Sequence, residues 1–211
     1  MSEALVALVV LVVGWFAVGS AVNVKRGNRA LQWMQGGLKQ VGDKATVKWI
    51  GTTAVELGLA NARPPFETAT VIVFLAPRDL PWLWAPSRAR GRRDTLILRA
   101  GLKKPPVIDL ELFDPASWSG RDAERSMKNE SWVTRGAAGL AAGAKVESAF
   151  EAAPALVVTA TAGGATVRRI SLRRKEPHLT LHVDLPDRAI DAGGFFAAFR
   201  SLGELASRRP A

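Results

Sequence analysis

The 211-residue chain is 48% hydrophobic and 23% charged, and its 29 lysines and arginines against 19 acidic residues give a formal net charge of +10. This balance is typical of a folded chain and excludes a disordered one, and the length is sufficient for one domain with its own core beside a membrane segment. The absence of cysteine excludes disulfides and cysteine metal sites, but it does not discriminate between cellular compartments.

The chain starts with an uncharged apolar run, ALVALVVLVVGWFAVGSAV, over residues 4–22. At about 1.5 Å per residue, a helix of this length extends for roughly 29 Å, close to the thickness of one bilayer core. We therefore predict a transmembrane anchor over residues 1–24 and a soluble domain over residues 25–211. The alternatives are a cleaved secretory signal and a buried core helix. The acidic start and long apolar core argue against the first, and the lack of any polar face argues against the second.

Basic residues flank the apolar run on one side only. Lys25, Arg26 and Arg29 follow it closely, and no lysine or arginine precedes it. Basic residues near the end of a membrane helix stay on the cytoplasmic side. We therefore expect a single-pass protein of the cell membrane with its N-terminus outside and its C-terminal domain in the cytoplasm.

The first half of the soluble part predicts one helix followed by strands. Residues 27–41 have the apolar spacing of a helix that continues the anchor, weakened by Gly36 and Gly37. Strands are predicted at residues 46–50, 54–59, 69–76, 94–102 and 107–113. The last two strands are expected to form a hairpin, and residues 114–131 a loop with a helical turn.

The second half predicts two helices around three strands. An alanine-rich helix is expected at residues 137–150 and a final helix at residues 187–207. Strands are predicted at residues 155–162, 165–174 and 179–185. The Gly163-Gly164 pair predicts a hairpin turn between the first two of these strands, because both glycines tolerate a positive φ.

These elements indicate an α+β fold, with a mostly antiparallel sheet and flanking helices after the anchor. The stretch LKKPPVIDLELFD at residues 102–114 resembles LRRKEPHLTLHVD at residues 172–184. Each follows an apolar strand, and each half opens on a predicted helix. The pattern suggests two α-β-β-β repeats, in halves 27–115 and 132–207.

The first candidate binding surface is the stretch RDLPWLWAPSRARGRR at residues 78–93. Three large apolar side chains stand between prolines and four arginines follow them: Trp82, Leu83 and Trp84, then Arg88, Arg90, Arg92 and Arg93. Tryptophan favours the bilayer interface and arginine binds phosphates, so we expect this loop to reach the lipid headgroups. The alternatives are tryptophans buried in the core below solvated arginines, and a loop that binds nucleic acid.

The second candidate surface is a polar sheet face. Arg169 and Arg173 share one face of a predicted strand, and His178 and His182 share one face of the next. Together they are a candidate anion-binding site, with a solvated sheet face as the alternative. The two histidines are about 13 Å apart on a strand, too far to share a metal ion. On a separate strand, Glu111 is expected on an exposed face.

No catalytic residues, cofactor or metal site are predicted, and the sequence favours a non-enzyme without deciding the point. The expected function is a membrane-anchored accessory or scaffold protein that presents a basic surface to anionic lipid headgroups or to a membrane protein complex. The alternative is a membrane-tethered domain that binds or hydrolyses a phosphorylated or lipidic small molecule. Nucleic acid is the less favoured partner, since the lipid surface is nearer to an anchored protein. The sequence does not indicate an oligomeric state.

Overall fold

The computed structural model describes residues 2–128, 130 and 132–208. Its first element is a long helix, α1 (Glu3–Met34). This helix is long and apolar enough to cross a membrane, and only 6% of its most apolar window is buried by the rest of the chain. The alternative of a buried core helix is therefore contradicted.

The helical segment predicted at residues 27–41 is interrupted. Helix α1 ends at Met34, and Leu38–Gln40 form a single 3-10 turn. Gly37 lies between them, so close to the carbonyl oxygen of Ala192 that a Cβ atom would overlap it. The change of direction brings the chain into the sheet at this point.

Nine strands follow in one antiparallel sheet, which confirms the predicted α+β class. They are β1 (Gly42–Ile50), β2 (Ala54–Ala62), β3 (Phe66–Phe74), β4 (Thr95–Leu102), β5 (Leu110–Phe113), β6 (Val133–Ala137), β7 (Leu140–Ala144), β8 (Val167–Leu172) and β9 (Leu179–Asp184). Their order across the sheet is β1-β2-β3-β4-β9-β8-β5-β7-β6. The first four strands form a meander of sequential neighbours, at or near the predicted positions.

The hairpin predicted from residues 94–102 and 107–113 is wrong, although both segments contain strands. Strand β4 pairs with β3 and β9, whereas β5 pairs with β7 and β8. Strands β9 and β8 therefore lie between β4 and β5, which follow each other in sequence.

The helix predicted at residues 137–150 is also wrong. Strands β6 and β7 form a hairpin here, with Ala138 and Gly139 both at positive φ in the turn. Gly143 is required for close packing, because a Cβ atom there would overlap the sulfur of Met127. Gly139 lies at positive φ in the turn of the hairpin.

The strand predicted at residues 155–162 is a helix, α4 (Ala153–Thr161). Leu156, Val157 and Ala160 form its buried face, a spacing that fits a helix as well as a short apolar strand. Gly163-Gly164 consequently ends a helix and does not close a hairpin. The second half has the order β-β-α-β-β-α, so the α-β-β-β unit expected over residues 132–207 is not formed.

The remaining α-helices are α2 (Pro81–Ala89), α3 (Trp118–Lys128) and α5 (Ala192–Ala206), and a 3-10 helix covers Glu147–Ala152. The final helix predicted at residues 187–207 is present but begins five residues later. The main core lies between one sheet face and the C-terminal half of α1, α4 and α5. Phe66 stacks on Phe199 within it, with ring centroids 5.0 Å apart. Helix α3 covers part of the other face through a smaller cluster that includes Phe113 and Met127.

Candidate functional site

The anchor helix and the sheet domain make contact before the apolar run ends. The indole Nε1 of Trp15 donates a hydrogen bond to the carbonyl oxygen of Arg78, 2.9 Å away. One turn later, a Cβ atom on Gly19 would overlap the backbone of both Arg78 and Asp79. Glycine at this position therefore allows a backbone approach that no other residue permits.

Helix α2 lies beside this contact, where the sequence predicts a loop. Pro81 occupies its first turn, where the missing N–H is not needed. Trp82 is 56% exposed and Leu83 48% exposed, and no residue of α2 is buried within the chain. Trp82 and Leu83 therefore do not fill the domain core, and Trp84 is half-buried.

An apolar groove of about 390 Å³ separates α1 from α2. Its wall on the anchor helix consists of Leu11, Gly14, Trp15, Val18, Gly19 and Val22. Arg78 and Trp84 complete the lining. The indole Nε1 of Trp84 is buried and has no acceptor among the described residues. We call this feature the anchor groove.

Asp94 joins the groove region to the C-terminal half of α1. Both of its oxygens accept hydrogen bonds from Arg78, each at 2.9 Å, and Arg26 donates a third at 2.7 Å. Burial alone would raise the pKa of Asp94. The hydrogen bonds from Arg78 and from the backbone N–H of Ala76, together with the charges of Arg78 and Arg26, outweigh burial. The pKa of Asp94 is therefore lowered. One carboxylate thus balances two guanidinium groups, which leaves a net positive charge.

A second cavity, of about 220 Å³, adjoins the anchor groove and shares Arg78 and Trp84 with it. Its charged lining consists of Arg26, Arg78, Arg88, Arg92, Arg93, Asp94 and Asp184. We call it the arginine cavity. Asp184 is bound by Arg168, which does not line the cavity, with Nη2 2.6 Å from Oδ2.

Three of the predicted interface arginines meet in the arginine cavity, and one does not. Within residues 2–128, 130 and 132–208, Arg88, Arg92 and Arg93 form no ion pair. The guanidinium of Arg92 lies 5.6 Å from the centre of the Trp118 ring. Arg90 is exposed and does not line the cavity. The cavity therefore concentrates positive charge that the protein itself does not neutralise.

The second predicted cluster is largely an internal ion network. Glu111 is fully buried and accepts hydrogen bonds from Arg169 at 2.9 and 3.0 Å and from Arg173 at 2.7 Å. The expectation of an exposed Glu111 is wrong, because β5 lies inside the sheet and α3 packs over its polar face. Both arginines are thus already bound to a carboxylate of the chain.

The two histidines lie in different surroundings. The Nδ1 of His178 accepts a hydrogen bond from the backbone N–H of Leu102 at 2.8 Å, a structural role at the start of β9. His182 is opposite Arg169 in the sheet register and only 8% exposed. Its burial, followed by the charges of Arg169 and Arg99, lowers the pKa of His182 to about 3.

His182 lines a small cavity of about 80 Å³. Its Nδ1 is buried without a hydrogen-bond partner in the described part of the chain. Arg92, Arg93 and Arg168 also line this cavity, and the first two belong to the arginine cavity as well. We call it the His182 cavity.

Sequence reasoning finds the arginines of the surface but misses the residues that position them. Asp94 falls at the start of a predicted strand, and nothing in its spacing indicates that it binds Arg26 and Arg78 across the fold. The small residue at position 19 is the one signal for the contact between the anchor helix and the domain.

No family model matches this chain, and no curated protein matches it. Within the described residues, no group of three His, Asp or Glu side chains could hold a metal ion. The function must therefore be inferred from the anchor helix, the anchor groove and the cavities beside it.

Proposed function

We propose that the chain is a single-pass, non-catalytic membrane protein whose sheet domain rests on an anionic leaflet as an accessory or scaffold component. The observation that carries this proposal is the position of α2, which is fixed beside the apolar part of α1 with Trp82 and Leu83 exposed.

The length of α1 supports a position of α2 at the interface between the lipid headgroups and the hydrocarbon layer. The part of α1 before the contact at Trp15 covers residues 3–14. This part extends for roughly 18 Å, against about 30 Å for a bilayer core. If α1 spans the membrane, the contact and the adjoining face of α2 lie at or inside one edge of the hydrocarbon layer. Exposed tryptophan and leucine are stable at that depth and costly in water.

The charge distribution supports the headgroup layer of an anionic leaflet as the partner surface. Arg88, Arg92 and Arg93 directly follow the apolar part of α2 and have no acidic partner among the described residues. Each basic residue near an anionic surface contributes about 1 kcal/mol of attraction. Together with Lys25 and Arg26 after the apolar run, they favour the cytoplasmic leaflet.

A spin label on α2 tests this proposal, because the chain has no cysteine and a single one can be introduced. The full chain carrying Leu83→Cys is labelled with a nitroxide and reconstituted in lipid nanodiscs. We expect high oxygen accessibility and protection from a water-soluble paramagnet, as for a group at the acyl boundary. The control is Val133→Cys on β6, which is 55% exposed and expected to face water. Equal exposure of both labels to water would overturn the proposal.

The anionic preference is tested separately with a label at Ala89→Cys, beside the arginines. We expect its motion to slow in nanodiscs containing phosphatidylglycerol and to recover in high salt, since salt screens exposed charges. If the label moves equally fast in neutral and anionic nanodiscs at low salt, the proposed attraction of these arginines to anionic headgroups is excluded.

A second candidate function is binding of a phosphorylated small molecule in the His182 cavity. The Nδ1 of His182 has no partner within the described residues, and Arg92 and Arg93 line the same cavity, which favours this function. Of the predicted anion site, Arg169 and Arg173 are bound to Glu111, and His182 is the member that lines this cavity. Inorganic phosphate should raise the thermal midpoint of the full chain and not that of His182→Leu. No shift in the unmodified chain would exclude this function.

A further inference from the structure

We infer that the anchor groove and the arginine cavity together form a binding site for one anionic phospholipid, with an acyl chain in the groove and the phosphate in the cavity. This inference rests on the proposed function, because the groove meets acyl chains only if α1 spans the membrane. The proposed function needs only a general attraction between the basic domain surface and anionic headgroups, whereas this inference adds a specific site for one lipid molecule.

The adjacency of the two cavities is the first argument. Arg78 and Trp84 line both, so the apolar space of about 390 Å³ lies next to the charged space of about 220 Å³. A phospholipid has the same sequence of parts, an apolar chain joined to a charged phosphate. A soluble phosphate would leave the apolar groove unused, and an apolar peptide would leave the arginines unpaired.

The length of the groove is the second argument. Its lining on α1 runs from Leu11 to Val22. This distance is roughly 16 Å along a helix, about half of a 30 Å bilayer core. The groove is therefore as long as the acyl region of a single leaflet. Gly14 contributes to this space, because nothing lies within 4 Å of the position of its missing Cβ atom.

The polar groups around the junction are the third argument. Arg88, Arg92 and Arg93 line the cavity without an acidic partner in the described part of the chain, while Asp94 and Asp184 are each bound by arginine. Arginine binds phosphate oxygens through paired N–H groups. Trp84 lines both spaces, and its buried Nε1 has no acceptor among the described residues. A hydrogen-bond acceptor from a bound molecule would satisfy this donor.

Native mass spectrometry of the full chain released from detergent micelles tests the inference. The probes are dioleoyl phosphatidylglycerol, which is anionic, and dioleoyl phosphatidylcholine, which is not. We expect one phosphatidylglycerol to remain bound per chain under conditions that remove phosphatidylcholine. The substitution Gly14→Leu adds apolar volume to the groove at a position where a Cβ atom meets nothing within 4 Å, and should weaken retention about tenfold. The double substitution Arg88→Gln and Arg92→Gln should do the same through loss of charged hydrogen bonds.

Matched controls separate these effects from changes in helix composition and net charge. Val13→Leu alters the anchor helix outside the groove, and Lys44→Gln with Lys48→Gln removes two positive charges from β1. Both should retain the lipid as the unmodified chain does. Equal retention of both lipids, or full retention by Gly14→Leu, would overturn the inference. Displacement of the lipid by millimolar inorganic phosphate together with full retention by Gly14→Leu would assign the cavity to a soluble anion.

Failure of this inference is distinguishable from failure of the proposed function. The depth of the nitroxide at Leu83→Cys does not depend on whether a lipid is bound one to one. An interfacial label without specific lipid retention would remove the lipid site alone, whereas a label in water would remove both.

Discussion

At the residue scale, Glu111 is a buried carboxylate whose loss should destabilise the fold. It accepts hydrogen bonds from Arg169, Ser171 and Arg173, and its own exposure is zero. Removing one partner of a buried ion pair leaves uncompensated charge and costs about 3–5 kcal/mol. The side chains of Arg169 and Arg173 keep 15% and 25% exposure, which favours the lower end of that range.

We therefore expect Glu111→Gln to lower the free energy of unfolding by about 3 kcal/mol. Urea titration of the full chain in micelles, followed by near-ultraviolet circular dichroism, measures it. The matched control is Asp43→Asn, whose pair with Arg63 is half exposed on both sides. An exposed pair contributes at most about 1 kcal/mol. Equal losses for the two variants would show that Glu111 is not the internal charge that the structure describes.

The neutral His182 makes stability depend on pH. Its pKa is lowered to about 3 in the fold. The unfolded chain binds this proton below about pH 6.5. The free energy of unfolding should therefore fall by about 1.4 kcal/mol for each pH unit between roughly 6 and 4.5.

The substitution His182→Gln should flatten the pH profile over this interval, measured by urea titration at several pH values. The lowered pKa of Asp94 acts at lower pH, because its contribution is present above the ordinary value of 3.8 and lost as pH falls through the folded one. Parallel profiles for the variant and the unmodified chain would contradict the buried neutral state of His182.

At the element scale, the contact between α1 and the segment before α2 depends on one glycine. A Cβ atom at Gly19 would overlap backbone atoms of Arg78 and Asp79, which cannot rotate away as a side chain can. We expect Gly19→Leu to destabilise the fold by about 1–3 kcal/mol and to free α2 from the anchor helix. The nitroxide at Leu83→Cys should then become mobile. Gly14→Ala, five residues earlier, adds a Cβ atom that meets nothing within 4 Å and should leave both stability and label mobility unchanged.

Elements were predictable where one periodicity dominated. Strand β9 alternates cleanly and α5 repeats phenylalanine and leucine at helical spacing, so both were predicted correctly. Residues 137–150 are predicted as a helix but contain the end of β6 and all of β7, and residues 155–162 are predicted as a strand but belong to α4. In the first, Gly143 leaves the space that Met127 occupies against β7. In the second, a short apolar run fits either period, and packing against α5 decides the outcome.

The same limit applies to the functional residues. The apolar run and the arginines after Trp84 are local patterns, so the long apolar helix and the cluster of arginines could be predicted. The pairings of Asp94 with Arg26 and Arg78 join residues 68 and 16 positions apart. Such pairings depend on how distant segments of the chain are arranged in the fold. The spacing of residues within one segment does not indicate that arrangement.

At the scale of the whole molecule, α1 is both the apolar helix and a part of the domain. The Nε1 of Trp33 donates to the carbonyl oxygen of Ile190 at 2.7 Å, and Ala30 and Met34 belong to the main core. Gln40 donates a hydrogen bond to the carbonyl oxygen of Gly193, in the first turn of α5, at 2.7 Å. Because the helix continues without a linker into the core, the tilt of α1 in a membrane would set the orientation of the sheet domain.

If α1 spans a membrane, cysteine labelling shows on which side of it the sheet domain lies. Lys25, Arg26 and Arg29 at the domain end of the apolar run favour the cytoplasm for that end. We expect Lys103→Cys, in an exposed turn, to react with a membrane-impermeant maleimide only after cells are permeabilised. Ser2→Cys, at the other end of α1, should react in intact cells. The reverse pattern would place the domain outside, and a product without residues 1–22 by mass would show that the apolar run is a removed signal and not an anchor.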